Sequence, residues 1–364
     1  MLHEAKDFLN RRAQKRPMPN QYKGLLQEIR KKKQTQDSIT KLKQKFCRDH
    51  KVSKAPTNSD LFLSAEKYER TELKKKLLLK PIRTASGVAP IAIMTAAFGC
   101  PHGKCTFCPG GPNSYYGNVP QSYTGHEPTT MRAIRNQYDS YLQVFNRLEQ
   151  YAVLGHNYDK VELIIMGGTF PALSIDYQDN FIHGALKAMN DFSQLFFKGN
   201  KFKFEAFKQF FELPGEVGEQ TRTDHVHQKL LKIKQQSNTT LQQEQQKNET
   251  AKVRCVAMCI ETKPDWGFLE HGKKMLEQGC TRVEIGVQSV YDDVLKKVHR
   301  GHDSKDAKKS FQILKDLGFK ITGSIAVKNL WSDFSDGESF RGLERDTVLI
   351  AGVGHLIIRS GSPA

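Results

Sequence analysis

The sequence predicts an α/β fold built on a parallel sheet, preceded by a small helical lobe rich in lysine and arginine. Two observations lead to this prediction. After about residue 80, short apolar runs alternate with amphipathic helical patterns, which is typical of parallel strands joined by right-handed crossovers. Before residue 80, helical patterns carry most of the net positive charge of the chain. The period alone leaves open whether the sheet is open or curved into a barrel.

The predicted elements follow in order along the chain. In the N-terminal region, residues 22–30 and 73–80 are predicted helices, with a loop at 53–60 between them. The predicted strands beyond it are 88–95, 161–166, 253–260, 282–288 and 319–327, and the predicted helices are 127–154, 177–192, 266–278 and 305–317.

Three regions are expected from this pattern. Residues 1–80 form the basic helical lobe, residues 81–327 form the α/β domain, and residues 328–364 form a divergent tail. Residues 193–250 interrupt the alternation of strands and helices as a polar insertion. Within them, residues 237–248 are rich in Gln, Asn and Thr and are predicted to be flexible.

The positive charge is concentrated in the predicted lobe. Residues 1–80 hold 22 Lys and Arg against 9 Asp and Glu, so they carry +13 of the net charge of +17. Charge clustered in this way attracts polyanions, above all the phosphate backbone of a nucleic acid. The alternative is a solvated helical surface whose lysines serve solubility. The clustering favours contact with nucleic acid.

The composition also bears on the compartment. The N-terminal residues lack the apolar segment of a signal peptide. The longest apolar stretch near the C-terminus, residues 348–358, is shorter than the roughly 20 residues of a membrane span. Seven cysteines, three of them clustered, suit a reducing compartment and a metal or catalytic role better than a disulfide framework. We therefore expect a cytoplasmic protein without membrane contact.

The clustered cysteines are Cys100, Cys105 and Cys108, in a segment rich in Gly and Pro directly after the first predicted strand. Their C-x4-C-x2-C spacing admits three metal sites. A structural zinc site needs a fourth ligand, and His102 is nearby, but the usual paired spacing is absent. A ferredoxin-type cluster needs a distant fourth cysteine. The third possibility is an iron–sulfur cluster held by three thiolates, with one iron open to a ligand.

The remaining evidence comes from the ends of the predicted strands, where the chemistry of α/β barrels gathers. The second strand ends at Gly167 and Gly168, whose bare backbone can approach a ligand. Later strands end near Glu261 and Gln288. Each of these residues alone has a purely structural explanation in a turn, a loop or a buried backbone contact. Together, around one cysteine-rich loop, they favour a shared ligand site. Three further cysteines, Cys255, Cys259 and Cys280, are predicted to be buried structural thiols.

Several extended strings then identify a family. They are RTASGVA at 83–89, CPHGKCTFCPGGP at 100–112, QSYTGHEPTTMRAIR at 121–135, DKVELIIMGGTF at 159–170, ETKPD at 261–265, CTRVEIGVQSVY at 280–291 and RGH at 300–302. With these strings the chain resembles the radical S-adenosylmethionine enzymes. Within them it resembles the catalytic subunit of Elongator and the archaeal tRNA uridine acetyltransferases. The match runs from about residue 80 to 325, apart from the insertion.

This resemblance implies a partial (β/α) barrel of the radical S-adenosylmethionine type and a cofactor set. Cys100, Cys105 and Cys108 would ligate a [4Fe–4S] cluster whose fourth iron chelates S-adenosylmethionine, and reductive cleavage would release a 5′-deoxyadenosyl radical. The family's proposed reaction uses that radical to add an acetyl-CoA-derived carbon to a wobble uridine of tRNA.

The resemblance also implies binding roles for residues outside the cysteine-rich segment. Gly167, Gly168, Glu261 and Gln288 would hold the nucleoside and amino-acid parts of S-adenosylmethionine. Lys160 matches a position assigned to acetyl-CoA binding. The basic lobe would bind tRNA.

The similarity ends near Gly323, with only the string GLERD at 342–346 beyond it. We therefore expect a chain truncated relative to the family, with an unpaired strand at the edge of its sheet and without the acetyltransferase domain. A separate chain is a candidate source of that domain. Two other functions remain open: a catalytically inactive remnant that binds tRNA or a partner, and a ferredoxin-like electron carrier.

Overall fold

A computed structural model describes residues 19–31, 34–52, 54–215, 219–325, 348–351 and 356–358. The chain divides into two compact units. The N-terminal unit combines residues 1–89, 147–158 and 198–230, and the sheet unit combines residues 90–146, 159–197 and 231–364. The two units are therefore interleaved along the chain, whereas the sequence pattern predicts consecutive domains.

The described residues include thirteen α-helices. They are α1 Lys23–Arg30, α2 Gln36–Asp49, α3 Asn58–Ser64, α4 Arg70–Leu77, α5 Pro128–Arg135, α6 Ser140–Leu154, α7 Ile175–Phe196, α8 Phe204–Phe210, α9 Gln220–Gln235, α10 Leu241–Asn248, α11 Leu269–Glu277, α12 Asp292–Lys297 and α13 Ser304–Asp316. No helix in this part of the chain has both the length and the apolarity needed to cross a membrane.

The strands are β1 Ala89–Met94, β2 Lys160–Met166, β3 Phe197–Lys198, β4 Lys201–Phe202, β5 Arg254–Thr262, β6 Arg282–Gly286, β7 Lys320–Ile325, β8 Val348–Ala351 and β9 Leu356–Ile358. β3 and β4 pair with each other, and the others form one sheet in the order β1-β2-β5-β6-β7-β8-β9. Strands β2, β5, β6, β7 and β8 run parallel, and β9 runs antiparallel to β8. The predicted parallel α/β architecture is confirmed.

The two faces of this sheet differ in polarity, because successive side chains of a strand point to opposite faces. Val161 and Leu163 of β2 and Val283 of β6 are fully buried. Their neighbours Glu162 and Glu284 lie on the opposite face and are only partly buried. One face is therefore an apolar packing surface, and the other presents charged groups.

Side chains from two helices cover the exposed edge of β1. The Gln143 side chain of α6 accepts a hydrogen bond from Met94 N and donates one to Met94 O, both at 2.9 Å. Arg132 of α5 donates to Ala92 O at 3.0 Å. These contacts satisfy backbone groups that an edge strand otherwise leaves open to a foreign strand.

The N-terminal unit has an apolar core of its own. The core consists of Tyr22, Leu25, Leu26, Ile29, Ile39, Phe46, Leu61, Phe62, Ala65, Leu73 and Leu77, with Leu42 and Phe204 packed against it. On α2, Ile39 and Phe46 are buried seven residues apart, which places them on one face of the helix. The helical character predicted for this part of the chain is confirmed.

Two sequence-based expectations within the sheet unit are wrong in detail. The single helix predicted over 127–154 is broken between α5 and α6, where Gln137 and Tyr138 adopt left-handed φ values of 54° and 56°. The stretch predicted to be flexible, 237–248, contains α10. Thr240 caps this helix in a capping box. Glu244 of α10 accepts a 2.7 Å hydrogen bond from Asn190 of α7.

The predicted tail, 328–364, lies mostly outside the described residues. Where it is described, β8 pairs with β7. β7 is therefore an internal strand, which corrects the expectation that it ends the sheet unpaired.

Candidate functional site

The three clustered cysteines lie in a loop, residues 100–111, which we call the cysteine loop. It follows β1, and its backbone forms tight turns from Cys100 O to Gly103 N and from Cys105 O to Cys108 N, each at 3.0 Å. Thr106 N donates to Val298 O at 3.1 Å, which ties the loop to the residues after α12. Turns of this kind direct several side chains of one short segment toward a common region.

Each sulfur of the cysteine loop has polar neighbours, which are His102 of the loop itself and side chains from other segments of the sheet unit. The contacts are Thr169 Oγ1 to Cys100 Sγ at 3.6 Å, His102 Nε2 to Cys105 Sγ at 3.1 Å, Arg300 Nη1 to Cys105 Sγ at 3.7 Å, Gln121 Nε2 to Cys108 Sγ at 3.0 Å and Ser122 Oγ to Cys108 Sγ at 3.1 Å. Burial raises the pKa of the Cys100 thiol, and the hydrogen bond from Thr169 opposes this.

These surroundings suit cysteine thiolates that bind a metal cluster. Among the described residues, no three His, Cys, Asp or Glu side chains are close enough together to hold one metal ion. In an iron–sulfur cluster each thiolate binds a different iron, so the sulfurs need not converge on one point. Hydrogen-bond donors around the sulfurs are the groups that stabilise cluster thiolates. The three cysteines therefore fit the cluster that the resemblance implies.

Gly167 and Gly168 lie directly beside this loop. Thr95, just after β1, donates its N–H to Met166 O at 3.0 Å, so the C-terminal ends of β1 and β2 meet. Gly167 has a φ of 125°, and a Cβ there would stand 2.1 Å from Thr95 Oγ1. A Cβ on Gly168 would stand 3.8 Å from Cys100 Sγ. The two glycines thus leave bare backbone next to the first cysteine.

Glu261, near the end of β5, lies in a partly buried acidic pair. The Tyr123 hydroxyl donates to Glu261 Oε2 at 3.0 Å. Glu284 of β6 is the register partner of Glu261, which places the two carboxyl groups side by side on one face. Burial, and then the charge of Glu284, raises the pKa of Glu261 to about 8. Near neutral pH this carboxyl group can therefore also donate a hydrogen bond.

Gln288 follows β6 and has a left-handed φ of 69°. Its Oε1 atom is buried and finds no hydrogen-bond donor among the residues that the structure describes. A buried acceptor without a donor is costly, so it marks a position where a ligand can supply the missing bond. Gln288, Glu261, the glycine pair and the cysteine loop all follow the C-terminal ends of neighbouring strands, as the sequence predicts.

Comparison with known proteins fits this arrangement. The model of the Radical SAM superfamily matches residues 94–329, which include the cysteine loop and strands β2, β5 and β6. The chain belongs to the Radical SAM superfamily. The ELP3 N-terminal domain matches residues 22–85. The predicted resemblance is confirmed at the level of these two matches.

Individual relatives carry two names. A tRNA uridine(34) acetyltransferase of Methanocaldococcus infernus is 41% identical over 267 residues, covering 73% of this chain and 42% of the relative. Human Elongator complex protein 3 is 36% identical over 313 residues, covering 85% and 48%. A solved structure of the archaeal Methanocaldococcus infernus Elp3 with an N-terminal deletion is 33% identical, with a TM-score of 0.43, over 66% of this chain and 38% of that chain. The chain spans less than half the length of these relatives.

Lys160 is the one predicted site residue of this radical SAM chain that lies elsewhere. It is the first residue of β2, is exposed, and has Arg254 as its register partner. Gly167 follows the other end of the same strand. At about 3.3 Å per residue the two positions are separated by roughly 20 Å. Any role of Lys160 therefore belongs to the N-terminal ends of the strands, opposite the cysteine loop.

The other cysteines of the sheet unit lie away from the cysteine loop. Cys255 and Cys259 are within β5, and Cys280 precedes β6. Burial raises the pKa of Cys255 to about 11 and that of Cys280 to about 12. Cys280 Sγ donates to Arg282 O at 3.1 Å and Cys255 Sγ to Ala257 O at 3.3 Å. The predicted burial holds for Cys259 and Cys280, whereas Cys255 is only partly buried.

Sequence reasoning missed the basic side chains beneath the cysteine loop. Lys263 donates to His102 Nδ1 at 3.1 Å and to Asp265 Oδ2 at 3.0 Å. Burial, and then the nearby charge of Lys263, lowers the pKa of His102 to about 4, so the ring is neutral. Arg300 also donates to Gly286 O at 2.8 Å. The strings ETKPD and RGH contain Lys263 and Arg300, but a string cannot reveal contacts with a loop more than 150 residues away.

Proposed function

We propose that this chain forms the cluster-bearing part of a radical S-adenosylmethionine enzyme that modifies the wobble uridine of tRNA. The carrying observation is that three cysteines, a glycine pair and two polar side chains follow the C-terminal ends of β1, β2, β5 and β6. When bound, a [4Fe–4S] cluster supplies the electron that cleaves S-adenosylmethionine. The printed names of the relatives support the tRNA substrate and acetyl-CoA as co-substrate.

The residues of the site have separate tasks in this proposal. Cys100, Cys105 and Cys108 hold the cluster. The backbone at Gly167 and Gly168 approaches the amino-acid part of S-adenosylmethionine, and Gln288 offers its free Oε1 as an acceptor for a ligand N–H or O–H. The hydrogen-bonded side chains of Tyr123 and Glu261 line the site at the end of β5. Partly buried in this way, Glu261 binds neutral hydroxyl groups better than it binds a second carboxylate.

Two parts of the proposal lie away from the cysteine loop. Lys160 provides a positive charge for an anionic part of acetyl-CoA. The N-terminal unit binds tRNA in the cytoplasm through its exposed cations. A separate chain with an acetyltransferase domain is proposed as a partner for the acetyl-transfer step.

The test is anaerobic reconstitution of the full chain with iron and sulfide. We expect about four irons per chain, visible charge-transfer absorption, and formation of 5′-deoxyadenosine from S-adenosylmethionine after reduction. Cys105→Ala should lower iron content and abolish the cleavage, whereas Cys255→Ala, a cysteine within β5, should leave both unchanged.

Three results would contradict the proposal. Unchanged iron content and absorption in Cys105→Ala would remove the cluster assignment. A fully reconstituted native chain that forms no 5′-deoxyadenosine would instead favour the inactive remnant. Loss of the cluster in Cys255→Ala would favour the ferredoxin-like carrier.

A further inference from the structure

Four side chains form a continuous hydrogen-bonded chain that ends on one cysteine sulfur. Asp265 Oδ2 lies 3.0 Å from Lys263 Nζ, Lys263 Nζ lies 3.1 Å from His102 Nδ1, and His102 Nε2 lies 3.1 Å from Cys105 Sγ. The Lys263 side chain is 2% exposed, so protein groups rather than water determine where its ammonium points.

The direction of each hydrogen bond follows from the types of donor. A lysine ammonium has three donors and no acceptor, so His102 Nδ1 must accept its hydrogen. In a neutral imidazole the other nitrogen then carries the proton. His102 Nε2–H therefore donates to Cys105 Sγ. Asp265 holds the ammonium from the other side, which fixes its position against the ring.

Local packing holds the ring in this place. Gly301 has a φ of 77°, and a Cβ on it would stand 2.5 Å from His102 Cβ. Only glycine therefore lets the chain after Arg300 pass the histidine. Arg300 approaches the same sulfur at 3.7 Å while donating to Gly286 O.

The three sulfurs consequently have unequal surroundings. The side chains beside Cys100 and Cys108 are neutral: Thr169 for the first, and Gln121 and Ser122 for the second. Among the described residues, Cys105 is the one sulfur that receives hydrogen bonds from a guanidinium and from an imidazole oriented by a buried ammonium, although the charges of Arg300 and Lys263 also act on Cys100. Hydrogen bonds to a ligand sulfur and nearby positive charge both stabilise the more negative, reduced state of an iron–sulfur cluster.

We propose that Lys263 is a positioning residue that fixes the tautomer of His102, so that His102 donates to Cys105 Sγ and raises the reduction potential of the bound cluster. This inference rests on the proposed function, because it requires that Cys105 ligates a cluster. In this proposal, Lys263 of the ETKPD string and Arg300 of the RGH string determine how readily the cluster accepts an electron.

The test is a redox titration of the reconstituted full chain, followed by electron paramagnetic resonance. We expect a lower reduction potential in Lys263→Met and in His102→Phe than in the native chain. Lys263→Arg, which keeps a cationic donor, should restore most of the difference. Lys104→Met is the matched control, because Lys104 is an exposed lysine in the cysteine loop itself. It should shift the potential much less than Lys263→Met.

The double variant separates positioning from simple charge. If Lys263 acts through the ring, the potential of His102→Phe/Lys263→Met should equal that of His102→Phe alone. Additive shifts, or a native potential in Lys263→Met, would overturn the inference. If Lys263→Met binds no iron, Asp265→Asn replaces it, with the same two expected results. Failure of the native chain to form any cluster would instead contradict the proposed function.

Discussion

Lysine and arginine are used differently in the two units of the chain. In the sheet unit, Lys263 and Arg300 are buried and hydrogen-bonded beneath the cysteine loop. In the N-terminal unit, Lys41, Lys45 and Arg48 of α2 are exposed at a spacing of four and three residues, which aligns them on one face of the helix. The same residue types are thus buried at a local site in one unit and exposed to solvent in the other.

The net charge of a segment indicates exposed cations but does not reveal individual buried ones. An excess of +13 in residues 1–80 pointed to exposed cations, because charges without nearby partners usually stay in water. Lys263 and Arg300 add only two charges to the total, yet both contact side chains of the cysteine loop. Burial, and not the number of charges, separates the two uses.

The largest expected effect comes from the exposed cations of α2. Replacing Lys41, Lys45 and Arg48 together by Gln should weaken tRNA binding on the order of a hundredfold at low salt, because three phosphate contacts are lost. The slope of log affinity against log salt should become shallower by about three. Filter binding or fluorescence anisotropy over a range of salt concentrations measures both quantities.

The control for this prediction removes the same charge from the sheet unit. Lys273, Lys296 and Lys297 are also exposed, and their joint replacement by Gln should leave the salt slope close to native. Equal losses in the two triple variants would show that net charge alone, and not the face of α2, binds the RNA.

A smaller effect is expected at the partly buried acid Glu261, whose pKa of about 8 exceeds its ordinary value of 4.5. Between these values the folded chain holds a proton that the unfolded chain has lost, so stability falls as pH rises. For the chain without cofactors, the free energy of unfolding should fall by about 2 kcal/mol more between pH 5 and pH 7 than in Glu261→Gln. Urea denaturation at several pH values measures the difference, and parallel pH profiles would refute the assignment.

The smallest effect is expected at Lys76, and it tests whether a partly buried lysine also has a structural role in the N-terminal unit. Lys76 of α4 donates to the carbonyls of Ile29, Arg30 and Lys31 at 3.2, 2.7 and 3.3 Å, so it caps the C-terminal end of α1. Lys76→Met should reduce the free energy of unfolding by about 1 kcal/mol. Its exposed neighbour Lys75, changed to Met, should alter stability by less than about 0.5 kcal/mol. Equal stability of the two variants would contradict the capping role.

Local sequence patterns were sufficient to predict much of the fold and part of the candidate site. Short apolar runs that alternate with helical patterns predicted β2, β5 and β6, because parallel strands are joined by helical crossovers. The cysteine loop and the glycine pair were found because their spacing and their position after strands are local features.

The features that sequence reasoning missed depend on distant or unusual contacts. Gln137 and Tyr138 interrupt the predicted helix by adopting left-handed backbone conformations, which non-glycine residues rarely do. Because neither residue is Gly or Pro, the sequence did not predict this interruption. The helix α10 depends on a capping box at Thr240 and on Asn190, which is more than fifty residues earlier. Lys263 and His102 are 161 residues apart, so only the folded sheet brings them together.

The central claim is that the cysteine loop holds a cluster with one iron open to S-adenosylmethionine. Its most direct test is the electron paramagnetic resonance spectrum of the reduced, reconstituted chain, recorded with and without S-adenosylmethionine. Binding of the amino and carboxylate groups to the open iron should change the g values of the cluster signal. A reduced cluster whose spectrum is identical in the presence of saturating S-adenosylmethionine would contradict the account.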